Sequence, residues 1–133
     1  MVASDFTKEE EQLIESEFQA LLADYARTSH RQKVEIITRA YNLAKQAHNG
    51  VRRLSGEPYM MHPLSVARIV VKEIGLGSTS ICAALLHDVV EDTPHTLKEI
   101  SEKFGEDTAF MVDAVTKITA VQEASKTAQK AGT

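Results

Sequence analysis

The sequence of 133 residues has the length of one ordinary domain, which is enough to bury a hydrophobic core without disulfides. Hydrophobic residues make up 43% of it and charged residues 26%, and Cys82 is its one cysteine. These values exclude a collagen-like or low-complexity chain, an internal disulfide and a cysteine-rich zinc site. No apolar run approaches the ~20 residues of a membrane span, and the polar start is unlike a signal peptide. We therefore expect a reduced, cytoplasmic environment.

Charge is distributed unevenly along the chain. The formal net charge is −4, but the first 24 residues carry seven acidic side chains and a single lysine, so the remainder has a small positive balance. That balance is too small for binding polymeric nucleic acid, which requires clustered Lys and Arg with interleaved aromatic residues. We expect neither polymeric nucleic acid nor a membrane as partner, while a few cations can still surround a small anion.

Capping signals and apolar periodicity predict helices in the first half of the chain. Thr7 with Glu10 fits a capping box before a first helix, and Ser29 with Gln32 fits one before a second. Pro63 is expected in the first turn of a third helix, which a glycine-rich turn ends near residue 75. The same apolar spacing of three and four residues follows each of these starts.

The second half of the chain also has a helical pattern. A fourth helix, about residues 78–92, is apolar almost all round, which is typical of a helix at the centre of a bundle. A short fifth helix and a sixth with Met111, Val115 and Ile118 on its stripe follow, and after residue 120 we expect a frayed helix or a tail. No strand pattern competes. The sequence therefore predicts one all-α domain over residues 1–133, a bundle of about six helices.

Four ionisable side chains gather at the end of the predicted fourth helix. His87 and Glu91 are four residues apart, as are Asp88 and Asp92, so all four share one broad helix face. Charges at the end of a core helix are costly unless they are paired, solvated or bound to a metal. From spacing alone, the cluster is either a metal or catalytic site or simply the solvated end of the helix.

These side chains can bind a divalent metal ion. Imidazole together with carboxylate suits Mn²⁺, Zn²⁺ or Fe²⁺ better than Ca²⁺, and adjacent His87 and Asp88 can both bind one ion. A third ligand has to come from elsewhere in the chain. His62, at the start of the third helix, can project into a cleft; alone it would be assigned a structural role, but beside His87 and Asp88 it becomes a candidate ligand.

Two longer motifs contain these residues. Residues 53–63 read RLSGEPYMMHP, and residues 86–93 read LHDVVEDT. At this separation they closely resemble the hydrolase domain of RelA/SpoT-type stringent-response proteins, which belong to the HD superfamily of metal-dependent phosphohydrolases. The likeness extends over roughly residues 30–120.

The resemblance implies an enzyme that removes pyrophosphate from the 3′ position of guanosine tetra- or pentaphosphate, giving GDP or GTP, with Mn²⁺ as cofactor. Long members of the family also carry a synthetase domain with GTP pyrophosphokinase activity. Carried over by position, the metal ligands are His62, His87 and Asp88, the residues that position or activate the attacking water are Glu91 and Asp92, and the residues that line the nucleotide pocket are Arg53 and Ser55.

The sequence departs from the family pattern at two points. Leu54 stands where family hydrolases commonly have a basic residue, which removes one phosphate contact. The fourth family ligand is an aspartate in a Leu-Ala-Asp-Arg-like segment, and neither Asp107 nor Asp113 matches it. We therefore expect weak Mn²⁺ binding or none, poor hydrolysis, and a chain that is the N-terminal part of a longer protein. Apolar surface left uncovered on the fourth and sixth helices would favour a homodimer or a rearranged C-terminal segment.

Two other functions remain open. One is a regulatory module that binds the nucleotide without hydrolysing it, and the intact Glu91–Asp92 pair argues against it. The other is an HD hydrolase of another nucleotide, against which the loop before His62 argues. Of the remaining candidates, we expect His48 to be a packed core histidine and Cys82 to be an inert buried thiol. No functional role is expected for His30 or His95.

Overall fold

The computed structural model describes residues 2–3 and 5–117. Within them the chain is a helical bundle, so the predicted all-α architecture of about six helices is confirmed. The predictions for Ile118 and for the segment after residue 120 lie outside the described residues. The helices are α1 (Lys8–Ala26), α2 (Val34–Ala47), α3 (Met61–Ile69), α4 (Ser78–Asp92), α5 (Leu97–Phe104) and α6, which is helical over residues 106–117.

The capping box predicted for α1 is confirmed. The hydroxyl of Thr7 accepts from the N–H of Glu10 at 3.1 Å, and the carboxylate of Glu10 accepts from the N–H of Thr7 at 2.9 Å. These two hydrogen bonds satisfy donors that the first helical turn would otherwise leave without a partner. The apolar face of α1 is buried mainly against α3, and the ring of Phe18 stacks on that of Tyr41 in α2 with 3.8 Å between the centroids.

The capping box predicted for α2 is wrong. The helix begins one residue after Lys33, and no side chain caps it. The α1–α2 connection is instead organised by Tyr25, whose hydroxyl accepts a hydrogen bond from the N–H of Lys33 at 3.0 Å. The Gln32 amide, predicted to pair with Ser29, donates to the carbonyl of Tyr25 at 3.2 Å. The turn is thus fixed by the hydrogen bonds of the fully buried Tyr25, and not by a capping box of Ser29 and Gln32.

Two small elements have no counterpart in the predicted set. Strands β1 (Val2–Ala3) and β2 (Val51–Arg52) pair antiparallel, and at two residues each they are too short to show an alternating pattern. A π-helical turn, Val70–Ile74, continues α3. It ends as predicted at Gly75, which adopts a left-handed φ of 78° and donates its N–H to the carbonyl of Val70 at 2.9 Å.

Helix α4 lies at the centre of the bundle. It packs against α2 and α3, and residues 81–89 are all buried, which explains why its sequence is apolar all round. The expectation of uncovered apolar surface on this helix is therefore wrong, whereas on α6 the side chain of Phe110 is 74% exposed. None of the described helices has both the length and the apolar character of a membrane span.

Candidate metal centre and the adjoining loop

Three of the predicted site residues meet where α3 begins and α4 ends. His62 lies in the first turn of α3, and His87 and Asp88 lie near the C-terminal end of α4. One ligand atom of each lies within 4.8 Å of the other two. The Nε2 atom of His87 is 3.2 Å from Oδ1 of Asp88, and Nε2 of His62 is 4.0 Å from Oδ2 of Asp88. Because His62 is half-buried and the other two are buried, the cluster opens to the surface on the His62 side.

The donor set fits a divalent metal ion. Nδ1 of His87 lies 2.8 Å from the carbonyl oxygen of Ala84, which can only accept a hydrogen bond. Nδ1 therefore carries a proton, and Nε2 is the ring nitrogen that faces Asp88 and is placed to bind a metal. Metal-binding histidines typically hold their second nitrogen in this way. Two imidazoles and one carboxylate are ligands that transition metals such as Mn²⁺ or Zn²⁺ accept.

The environment of His62 favours the form of the ring that binds metals. Burial lowers the pKa of His62 below its usual value, although the nearby Asp88 carboxylate acts in the opposite direction. A neutral imidazole retains the lone pair that a metal requires. The position and the protonation state of His62 are thus both compatible with a role as ligand.

The predicted water-positioning pair follows the cluster by one helical turn. Glu91 and Asp92 lie in the last turn of α4, and both are exposed. The negative charge of Asp92 acts to raise the pKa of both Tyr59 and His48. Both carboxylates are accessible to a substrate, and their assignment to the reaction stays a prediction.

The loop of residues 53–59 adjoins the cluster of His62, His87 and Asp88. Its tight turn is closed by two backbone hydrogen bonds, from the N–H of Gly56 to the carbonyl of Arg53 and from the N–H of Arg53 to the carbonyl of Glu57. Gly56 adopts a φ of 100°, a conformation that side chains disfavour. Glu57 also accepts from the Ser55 hydroxyl at 3.2 Å, and its carboxylate lies 3.7 Å from the Arg53 guanidinium.

A cavity lies against this loop. Its volume is about 450 Å³, and its lining includes the two predicted nucleotide-binding residues. A larger cavity of about 860 Å³, formed by α1, α2 and α5, is lined by none of the predicted site residues. The smaller cavity is therefore the candidate substrate site, because predicted site residues line it and none of them lines the larger cavity. It is lined by Arg53, Leu54, Ser55 and Tyr59.

Tyr59 connects the cavity to the metal cluster and was missed in the sequence. Its hydroxyl donates to Oδ2 of Asp88 at 2.5 Å, and its ring contacts those of His48 and His62, with centroid distances of 4.8 and 5.8 Å. Burial and this hydrogen bond raise the pKa of Tyr59 above its usual value. The sequence shows only an aromatic residue three positions before a candidate ligand. The pairing with Asp88, 29 residues away, is a product of the fold.

The three other histidines lie outside the cluster. His48 is 2% exposed, its Nε2 has no hydrogen-bond partner in the described part of the chain, and burial lowers its pKa. His30 donates to the carbonyl of Gly75 at 2.6 Å, and His95 lies 2.7 Å from the Glu99 carboxylate.

The other residues set aside in the sequence also lie outside the cluster. Cys82 is buried, and burial raises the pKa of its thiol to about 12, which fits the inert role expected for it. Asp107 is exposed, and Asp113 forms an ion pair of 3.0 Å with Lys117. Neither aspartate supplies a fourth ligand.

Comparison with known proteins agrees with this site. A family model described as "HD domain" matches residues 40–133. A guanosine-3′,5′-bis(diphosphate) 3′-pyrophosphohydrolase of Aquifex aeolicus is 43% identical over 116 residues, which are 87% of this chain and 16% of that protein. A probable GTP pyrophosphokinase of Mycobacterium leprae is 48% identical over 85 residues, 64% of this chain and 11% of that protein. The bifunctional (p)ppGpp synthase/hydrolase SpoT of Escherichia coli K12 is 43% identical over 86 residues, 65% of this chain and 12% of that protein.

The aligned parts thus cover only 11 to 16% of the lengths of these three relatives. The family match, in contrast, covers more than half of this chain and includes the 53–59 loop, His62 and the His87–Asp88 pair. The chain therefore belongs to the HD domain family, and its HD domain is of the RelA/SpoT type, as the two motifs predicted.

Proposed function

We propose that this HD domain hydrolyses guanosine 3′,5′-bis(diphosphate) and the corresponding pentaphosphate, releasing pyrophosphate from the 3′ position and leaving GDP or GTP. The observation that carries the proposal is the cluster of His62, His87 and Asp88 beside the cavity of the 53–59 loop. The names of the relatives supply the substrate class. The GTP pyrophosphokinase activity in some of those names belongs to much longer proteins and is assigned to no residue of this chain.

Mn²⁺ is the cofactor that we propose, with His62, His87 and Asp88 as its protein ligands. When bound, a divalent ion lowers the pKa of water towards 7 and screens the charge of a phosphoryl group. Because the described residues offer three ligands in this cluster rather than the four expected from the family, we propose weak binding.

The carboxylates of Glu91 and Asp92 are proposed to handle the proton of the attacking water. Both are exposed in the last turn of α4, one turn beyond His87 and Asp88, and a general base has to reach the substrate. The water oxygen forms a bond to the phosphorus next to the 3′ oxygen of the nucleotide, and the bond between that phosphorus and the 3′ oxygen breaks. The water's proton passes to a carboxylate, and the 3′ oxygen takes up a proton to leave a hydroxyl.

Arg53 and Ser55 are proposed to bind the phosphates of the substrate. The Arg53 guanidinium lies 3.7 Å from Glu57, a loose contact that a more highly charged phosphate can replace. A guanidinium can donate two parallel hydrogen bonds to phosphate oxygens, which a lysine cannot do. The Ser55 hydroxyl, at the same cavity, can add one more.

Pyrophosphate release from guanosine 3′,5′-bis(diphosphate) in the presence of Mn²⁺ tests the function. We expect slow release by the chain, none by the Asp88→Asn variant, and unchanged release by His95→Gln, which alters a histidine outside the cluster. Binding of the nucleotide without release would favour the regulatory module. Faster hydrolysis of a nucleotide without a 3′ diphosphate would favour an HD hydrolase of another substrate.

Three further expectations from the sequence remain proposals. A single domain over residues 1–133 is supported by one buried apolar cluster that extends from Ile14 to Val112. A homodimer is supported by the 74% exposure of Phe110, and light scattering tests it. A cytoplasmic location is supported by the lone, buried cysteine, Cys82.

A further inference from the structure

We propose that Tyr59 is a positioning residue of the metal centre, whose hydroxyl orients the Asp88 carboxylate towards the two histidines. The inference rests on the proposed metal-dependent function and extends it to a residue outside the ligand set. Tyr59 also lines the cavity and donates a hydrogen bond to Asp88, one of the proposed metal ligands. It therefore lies between the substrate cavity and the proposed metal site.

The first step is the contact between the phenol and the carboxylate. The Tyr59 hydroxyl donates to Oδ2 of Asp88 at 2.5 Å, while Oδ1 of the same carboxylate lies 3.2 Å from Nε2 of His87. The terminal torsion of an aspartate is broad, so its carboxylate turns readily when nothing holds it. A hydrogen bond to one oxygen removes this freedom and keeps the other oxygen directed at His87.

The second step is that Tyr59 is itself held in place. Its N–H donates to the carbonyl of Val51 in β2 at 2.8 Å. Its ring packs against that of His48, which is almost completely buried, and against that of His62. Because the backbone and the ring of Tyr59 are already held, its hydroxyl can fix Asp88 with little further loss of side-chain entropy. Hydrogen bonds of this kind to metal ligands commonly affect metal affinity.

A purely structural role for the phenol is the alternative, and the chain contains a matched control for it. The hydroxyl of Tyr41 donates to the carboxylate of Glu15 at 3.0 Å, and its ring is stacked on Phe18. Tyr41 therefore makes the same kind of hydrogen bond from a largely buried ring, but its partner is outside the metal cluster. Removing each hydroxyl separately distinguishes metal positioning from stability.

The test is the dissociation constant of Mn²⁺ alone, measured by electron paramagnetic resonance of the free ion during titration of the full chain into the millimolar range. We expect Tyr59→Phe to bind Mn²⁺ about 10- to 100-fold more weakly than the unaltered chain. Tyr41→Phe is expected to bind Mn²⁺ as the unaltered chain does. Without metal, the two variants are expected to unfold at similar temperatures.

Each other outcome overturns the proposal. Unchanged Mn²⁺ affinity in Tyr59→Phe would show that Asp88 needs no help from the phenol. A Tyr59→Phe chain that fails to fold, while Tyr41→Phe folds, would assign the Tyr59 hydroxyl to stability. If the unaltered chain itself binds no Mn²⁺, the proposed metal-dependent function fails first, and the role of Tyr59 fails with it.

Discussion

Arg52 of β2 holds Glu10 of α1 in a two-point ion pair, in which Nη1 donates to Oε2 and Nη2 to Oε1. The same guanidinium donates to the backbone carbonyls of Asp5 and Gly56. One side chain thus joins the start of α1 to the turn of the 53–59 loop, although Glu10 and Arg52 are 42 residues apart. Paired hydrogen bonds from a planar guanidinium fix geometry as well as energy. The base of the predicted nucleotide-binding loop is therefore anchored to the bundle.

This ion pair predicts a loss of stability in acid. The hydrogen bond from Arg52 is the main reason why the pKa of Glu10 falls from 4.5 to about 2. Because the unfolded chain then binds the proton more tightly than the folded one, lowering the pH from 4.5 towards 2 favours unfolding. We expect the contribution of Glu10 to be complete above pH 4.5 and to disappear towards pH 2. Thermal unfolding across this range measures it.

The Glu10→Gln variant is the decisive comparison. It should unfold at a lower temperature than the unaltered chain at neutral pH, and the difference should shrink as the pH approaches 2. Glu9→Gln, which removes an exposed carboxylate one position earlier, is the matched control and should behave like the unaltered chain. Parallel acid profiles for Glu10→Gln and the unaltered chain would contradict the assignment.

A second ion pair, between Asp24 and Arg68, is expected to stabilise the fold more than an exposed ion pair does. Asp24 of α1 is 8% exposed and accepts from Nε of Arg68 in α3 at 2.9 Å, while Glu17 accepts from the same guanidinium at 3.2 Å. Asp24→Asn removes the charge that strengthens this hydrogen bond at a buried position, so we expect a loss of about 1–3 kcal/mol in the free energy of unfolding. Glu17→Gln, at the more exposed end of the same arginine, should cost less than about 1 kcal/mol. Urea unfolding measures both, and equal losses would contradict the distinction.

The fold was predictable where local chemistry decides it. Thr7 and Glu10 are three residues apart, and both capping hydrogen bonds form within one turn. Ser29 and Gln32 have the same spacing but do not cap α2, because Gln32 donates to the carbonyl of Tyr25, seven residues away. A pattern of spacing shows which hydrogen bonds are available, and burial of a neighbouring side chain decides which of them forms.

For the same reason, the sequence predicts the residues of the cluster and part of the cavity lining, but not the long-range contacts around them. The motifs identify His62, His87 and Asp88, and the structure brings them together. Tyr59 and Asp24 were missed because their partners are 29 and 44 residues away. Periodicity shows that a helix has a buried face, but the depth of each polar residue beside that face depends on how α1, α3 and α4 pack.

The departure at Leu54 predicts a gain of substrate binding. Leu54 is 87% exposed at the cavity of the 53–59 loop, and no packing is lost when it is replaced. We expect Leu54→Lys to lower KM for guanosine 3′,5′-bis(diphosphate) about 2- to 5-fold, because an exposed charge pair contributes about 0.5–1 kcal/mol. Leu76→Lys adds the same charge at an exposed leucine away from the cavity and should leave KM unchanged. An equal decrease in both variants would indicate only a general effect of charge.

The last prediction separates the proton-handling carboxylates from the metal ligands. Glu91 and Asp92 lie at the open end of α4, one turn beyond His87 and Asp88, and neither belongs to the group of atoms within 4.8 Å of one another. We expect Glu91→Gln and Asp92→Asn each to lower kcat at saturating Mn²⁺ by about 10²- to 10⁴-fold, since both changes keep the size of the side chain and remove its capacity to accept a proton. The dissociation constant of Mn²⁺ should not change in either variant.

Glu102→Gln, which alters an exposed carboxylate of α5, controls for the loss of one negative charge and should change neither quantity. The two measurements are independent, because Mn²⁺ binding is followed without substrate and kcat is read from pyrophosphate release. If Asp92→Asn binds Mn²⁺ much more weakly and regains kcat when more Mn²⁺ is supplied, Asp92 acts through the metal and not on the proton of the water. The same result for Glu91→Gln would move that carboxylate into the ligand set.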